Sequence, residues 1–152
     1  MQTGIAIANL ASTPATVTFD LTTLSGTSFG MTGTTDVPAN GQVSMLLDQI
    51  PGFSALTLPF QGILRISSIS GNISVIGLRT RYNEQLRRLI TTISPSNENS
   101  PASSAEMLFP HFVDGGGYTT EFILFSGSAG QSSSGNLRFF GQSGQSVSLT
   151  LR

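Results

Sequence analysis

The chain is expected to be all-β, and three observations carry that expectation. Its 152 residues include 17 Gly and 10 Phe amid abundant Ser and Thr, a composition suited to short strands and tight turns. Helices favour Ala, Leu, Glu and Lys instead. No apolar period of 3.6 is sustained over three turns. Short apolar runs recur between clusters of Gly, Pro, Asn and Ser, as strands do between turns. The length is enough to bury a core and would make one domain, or one and a half small ones.

Gly4 to Asn9 is nearly all apolar, the pattern of a strand covered on both faces, and Ala11-Ser-Thr-Pro14 is its turn. Val17, Phe19 and Leu21 then alternate with Thr16, Thr18 and Asp20, which marks a half-buried strand. Thr22 to Thr35 reads as a weak strand or a long loop, with Phe29 and Met31 as its large apolar anchors. Val37-Pro-Ala-Asn-Gly41 turns the chain into a strand at Gln42–Leu47, and Asp48-Gln-Ile-Pro51-Gly52 breaks it with room for one helical turn. Gln61–Ile69 and Ile73–Tyr82 flank Ser70-Gly-Asn72 and read as a hairpin. Leu64, Ile66, Val75 or Ile76, and Leu78 are its expected core residues. Leu89–Ile93 closes a first module at 1–93. Ser94–Ser104 is too polar and Pro-rich to hold a core and reads as a linker. In the remainder, 105–152, Met107–Val113 is extended, Asp114-Gly-Gly-Gly117 turns, and three strands follow.

The last third repeats the plan of the first. Thr119–Phe125 matches Thr3–Asn9, and Asn136–Phe140 running into Ser143-Gly144 matches Ala15–Leu21 running toward Ser25-Gly26. The first copy continues through several more strands, whereas the second has one more, Ser146–Leu151. This predicts a partial module with an open apolar face containing Phe122, Leu124, Leu137 and Phe139. Exposed strand edges are templates for an added strand. The apolar N-terminal strand, with Gly4, Ile5, Ile7 and Asn9, is the expected donor. Copies joined head to tail in this way would form a homopolymer, because a heterologous contact propagates unless it closes a ring.

No chemistry competes strongly with that structural reading. Charged residues make up 10% of the chain, net charge is -1, and all seven basic residues are Arg. Such a balance gives no basic footprint for nucleic acid. No apolar run approaches the ~18 residues of a spanning helix, so membrane insertion is not expected. Met1-Gln2-Thr3 opens directly into a strand, unlike the charged start of a secretory signal. With no Cys there is neither a disulfide nor a thiolate metal site. His111, Asp114 and Glu121 are the nearest approach to a metal set, but the single His and the Gly run after Asp114 read as a turn. No nucleophile elbow, catalytic base with an orienting partner, or phosphate loop appears. Neither catalysis nor any cofactor or metal is expected. Arg79, Arg81, Tyr82, Glu84, Arg87 and Arg88 form the densest polar cluster. Arg79, Arg81 and Tyr82 are a candidate edge for glycans or another partner, the competing reading being a solvated strand face. Asn72-Ile73-Ser74 is a formal glycosylation sequon.

Several longer runs carry a resemblance. Thr3-Gly-Ile-Ala-Ile-Ala-Asn9, Pro38-Ala-Asn-Gly-Gln-Val43, Phe60-Gln-Gly-Ile-Leu-Arg-Ile-Ser67, Gly77-Leu-Arg-Thr-Arg-Tyr-Asn-Glu84 and Phe109-Pro-His-Phe-Val-Asp-Gly-Gly-Gly-Tyr-Thr-Thr120 together resemble tandem immunoglobulin-like repeats. Those repeats stand at the C-terminal ends of large secreted or surface proteins of environmental bacteria. The resemblance implies an immunoglobulin-like β-sandwich followed by a partial second sandwich, an extracellular or cell-surface location, a structural role and no catalytic residues. A polysaccharide- or surface-binding accessory module of a larger secreted protein is the alternative. The sequence departs from the pattern after Glu84, where Gln85-Leu-Arg-Arg88 replaces a small polar turn.

Overall fold

The computed structural model describes residues 2–70, 72–100, 106–113, 115–123 and 134–149. They divide into two compact units, Met1–Asn97 and Glu98–Arg152, with the division inside the expected linker. The described residues contain no α-helix, and the protein is all-β.

The first unit has seven strands: β1 (Gln2–Asn9), β2 (Ala15–Thr22), β3 (Ser28–Val37), β4 (Gln42–Leu46), β5 (Ile63–Ser68), β6 (Ile73–Tyr82) and β7 (Arg88–Ile93). They form two antiparallel sheets, ordered β4-β1-β6-β7 and β3-β2-β5. β1 and β2 are each paired on both edges, so the two strands that open the chain become the interior strands of the two sheets.

Alternation decides what each strand buries. Val17, Phe19 and Leu21 on β2 are 0–2% exposed, and Ile5 and Ile7 on β1 meet them with 4% and 1%. Residues directly opposite in a ladder share a face. Ile5 lies opposite Met45 and Gly77, and Ile7 lies opposite Val43 and Val75. Val43, Met45 and Val75 therefore face the core, while Ile76, opposite Ala6, faces out and is 43% exposed. Leu64, Ile66 and Val75 pack against the core as expected. Leu78, opposite Gly4, lies on the outer face.

The chain between β4 and β5 plugs the sandwich. After a short 3-10 turn at Leu47–Gln49, Ile50, Phe53 and Leu56 enter the core at 1%, 0% and 8% exposure. β3 allows this crossing at Gly33, where a Cβ would stand 1.9 Å from the Pro51 carbonyl oxygen. Asn9 closes one end of the unit. It is 1% exposed; its Nδ2 lies 2.8 Å from the Thr13 carbonyl oxygen and 3.2 Å from those of Val37 and Pro38, and its Oδ1 accepts from the Ala11 N–H at 2.9 Å.

Of the two readings of Thr22–Thr35 the strand holds: Ser28–Val37 forms a ten-residue strand whose long pairing with β2 compensates for weak local propensity. One expectation is corrected here, since Gln61–Ile69 and Ile73–Tyr82 do not form a hairpin. β5 pairs with β2 and β6 with β1, so these two consecutive strands belong to different sheets. Alternating strands around a turn look alike in both arrangements; the unfilled edges of β1 and β2 decide between them.

Candidate functional site

The second unit contains a hairpin of two short strands, β8 (Phe139–Phe140) and β9 (Ser146–Val147). Its turn reproduces one in the first unit. Between β2 and β3, the Thr23 N–H donates to the Thr27 carbonyl oxygen at 2.9 Å and the Gly26 N–H to that of Thr23 at 3.0 Å, with Gly26 at φ 79°. Between β8 and β9, the Gly141 N–H donates to the Gln145 carbonyl oxygen at 2.8 Å and the Gly144 N–H to that of Gly141 at 2.9 Å, with Gly144 at φ 78°. Thr22 pairs with Ser28 beside the first turn, and Phe140 with Ser146 beside the second.

Counting back from these matched turns sets Phe139 at the position of Leu21 and Leu137 at that of Phe19. Leu21 and Phe19 are 2% and 0% exposed, whereas Leu137 is 42% exposed and Phe139 half-buried. The same positions that form the first unit's core are thus left uncovered in the second.

Aromatic rings gather around Phe139. Phe112 and Phe139 meet edge to face at 5.1 Å between centroids, Phe109 and Phe122 at 5.3 Å, and Phe122 and Phe139 at 6.4 Å, within the range of favourable aromatic pairs. A turn at Gly116-Gly117 is closed by paired bonds between Gly115 and Tyr118. Next to it the Thr120 hydroxyl donates to the Val113 carbonyl oxygen at 2.9 Å and accepts from the Val113 N–H at 3.0 Å. Arg138 pairs with Glu106 on the surface. No described residue of this unit is buried, and Met107, Leu108, Phe109 and Phe140 remain 51–83% exposed.

The residues expected to act are distributed unevenly. Phe122, Leu137 and Phe139 belong to the uncovered aromatic region; Leu124 lies outside the described residues. Gly4, Ile5, Ile7 and Asn9, expected to be donated, are instead interior to the first unit. β1 is paired with β4 and β6, and all four residues are buried, so lending β1 to a neighbour would require it to leave its own sheet. Of Thr119–Phe125, expected as strand, residues 119–123 are not one, with no ladder partner beside them among the described residues, and Leu124 and Phe125 lie outside those residues. Sequence reasoning also missed Phe109 and Phe112, whose signal was an aromatic pair set three residues apart just before a glycine turn.

Arg79 and Arg81 share one face of β6, whereas Tyr82 projects from the other by strand alternation, so the three do not form a single ligand edge. The departure at Gln85-Leu-Arg-Arg88 still makes a turn: Asn83 and Leu86 repeat the bonds of Thr23 and Gly26, with Leu86 at φ 58°. β7, which follows, is exposed along its whole length. Among the described residues no group of three or more His, Cys, Asp and Glu converges as a metal set would; His111 and Glu121 are both exposed, and Asp114 lies outside those residues. Two shallow grooves of the first unit, one at Asn9 and Gln42 and one at Ala8 and Ile76, contain no titratable side chain. What the second unit presents is exposed apolar surface. Comparison with known proteins finds no matching family model, no matching curated protein and no matching solved structure.

Proposed function

We infer that the protein is a structural subunit of an extracellular fibre or cell-surface assembly, joined to its neighbour where β structure completes the second unit. The observation that carries this reading is the contrast between matched positions. Phe19 and Leu21 are sealed in a seven-stranded sandwich, while Phe139 stands in a two-stranded hairpin, with Leu137 two residues before it, and no described residue of that unit is buried. A two-stranded hairpin is at best marginally stable alone in water, and an exposed apolar cluster of this kind marks an interaction surface. The resemblance to immunoglobulin-like repeats of secreted proteins supports the extracellular setting. The polysaccharide-binding alternative loses its edge, because Tyr82 is separated from Arg79 and Arg81.

Immunogold labelling of thin sections of producing cells, with an antibody raised against the first unit, tests this. Label arrayed outside the cell is expected. Label confined to the cytoplasm overturns the reading.

A further inference from the structure

We propose that β7 pairs with β7 of a second copy of the chain, antiparallel and about a two-fold axis at Thr91, so that two first units share one continuous sheet. β7 ends the sheet β4-β1-β6-β7, and β6 is its strand partner among the described residues. All six of its residues are exposed, with Leu89, Ile90 and Ile93 at 40%, 63% and 45%. An edge strand is ordinarily blunted by charge, Pro, a bulge, shortness or a covering segment. The other edges of the unit have such devices. β3 is crossed by Pro51 and Gly52 at Thr32 and Gly33; β4 has five residues and runs into the 3-10 turn; β5 has Arg65 at its middle. β7 is Leu-Ile-Thr-Thr-Ile after Arg88, without charge, Pro or Gly.

The turn before β7 fixes which of its backbone groups are free. The Asn83 N–H donates to the Arg87 carbonyl oxygen at 3.0 Å, and bonded pairs alternate along an antiparallel ladder. Leu89, Thr91 and Ile93, opposite Arg81, Arg79 and Gly77, therefore bond to β6. Arg88, Ile90 and Thr92 turn their N–H and C=O groups outward. Laid antiparallel on its own copy with Thr91 at the centre, β7 sets Ile90 opposite the partner copy's Thr92, and each pair exchanges both main-chain bonds. Leu89 then meets the partner copy's Ile93, and the two Thr91 residues meet each other. Apolar and Thr–Thr pairs of this kind favour a ladder. Like charges do not oppose it: the two Arg79 residues stand three strand spacings apart, about 14 Å, beyond the ~8 Å screening length at physiological salt. A strand that fits its own copy in this way makes an isologous contact, which closes on itself. It would bind assemblies side by side and does not rest on how the second unit is joined.

The chain has no Cys, so an introduced cysteine reports the contact directly. Full-length Thr91→Cys, Ile90→Cys and Thr92→Cys proteins are held in oxidised glutathione, and disulfide-linked dimer is followed on non-reducing gels. Facing Cα atoms of a non-bonded antiparallel pair lie about 4.5 Å apart, within the span a disulfide bridges. The two copies of residue 90, or of residue 92, are offset along the strand and lie about 8 Å apart, too far to bridge. Thr91→Cys should therefore dimerise at least 10-fold faster than the other two. Adding Ile90→Pro removes an outward N–H and no bond to β6, and should abolish that advantage; Ile90→Lys, which keeps the backbone intact and adds a charge to the edge, should reduce it. The first unit's melting transition identifies which of these two variants remains folded. Equal rates at the three positions, a faster reaction at 90 or 92, or a Thr91→Cys rate that a folded edge variant leaves unchanged each overturns the proposal. None of these outcomes bears on where the producing cell places the protein, so the proposed function and this inference fail separately.

Discussion

At the scale of single residues, Asn9 shows how one polar side chain fixes the end of a sandwich. Its Nδ2 reaches the carbonyls of Thr13, Val37 and Pro38 near the closed end of the core, and its Oδ1 accepts from the Ala11 N–H. Asn9→Ala should therefore cost about 2–4 kcal/mol, the combined loss of buried hydrogen bonds and their unsatisfied partners, measured by urea unfolding. Asn9→Asp is a sharper probe. A carboxylate facing three carbonyl oxygens in a buried site has its folded pKa raised above the ordinary ~3.9. The penalty is then fully present above the folded pKa. It disappears as pH falls below the unfolded pKa, where the group is protonated in both states. The stability deficit of Asn9→Asp relative to the parent protein should shrink between pH 7 and pH 3.5; a deficit that stays constant would mean the side chain is solvated. The inward direction of Asn9 was not legible in the sequence, since its acceptors arrive from Val37 and Pro38, far along the chain. The burial of Val17, Phe19 and Leu21 was legible, because strict alternation with Thr and Asp leaves only one face to bury.

At the scale of elements, the three related turns form a natural substitution series. Gly26 and Gly144 occupy their positive-φ position at no steric cost, but Leu86 holds φ 58° with its side chain 81% exposed. A non-Gly residue in this region costs roughly 1–2 kcal/mol, partly offset by the greater unfolded-state freedom of Gly. Leu86→Gly should thus stabilise the first unit by about 0.5–1 kcal/mol, seen as a higher melting temperature. The close crossing at Gly33 gives the opposite case: Gly33→Ala drives a Cβ against the Pro51 backbone and should destabilise by about 2–4 kcal/mol through displacement of Ile50 and Phe53. Strand positions were largely readable from apolar runs and turn residues, β3 excepted. Strand partners were less so. The turn at Ser70-Gly-Asn72 suggests a hairpin when read locally, and only the competition for the free edges of β1 and β2 sends β5 and β6 to different sheets.

At the scale of the whole molecule, the two units differ in what they bury, and their thermodynamics should differ accordingly. The recurring turn could be read from sequence because its Ser-Gly pair recurs in step with apolar positions. The role of β1 could not, because an apolar strand near the start of a chain has the same pattern whether it is lent to a neighbour or kept at the centre of its own sheet. In the first unit, core residues from Ile5 to Leu56 all lie within Met1–Asn97, so a chain of residues 1–97 should melt in one cooperative transition. Its midpoint should fall within about 3 °C of the transition seen in the full chain, since a larger shift would correspond to an appreciable part of a kcal/mol for a domain of this size. Phe19→Ala should lower stability by about 3–5 kcal/mol in both the short and the full-length proteins. Phe122→Ala, in a ring cluster with no buried neighbour, should leave that same transition unmoved. Scanning calorimetry of the five proteins provides the comparison. A first-unit transition that drops when residues 98–152 are removed, or when Phe122 is truncated, would mean that the second unit is part of the first unit's folded core and has no open face to offer a partner.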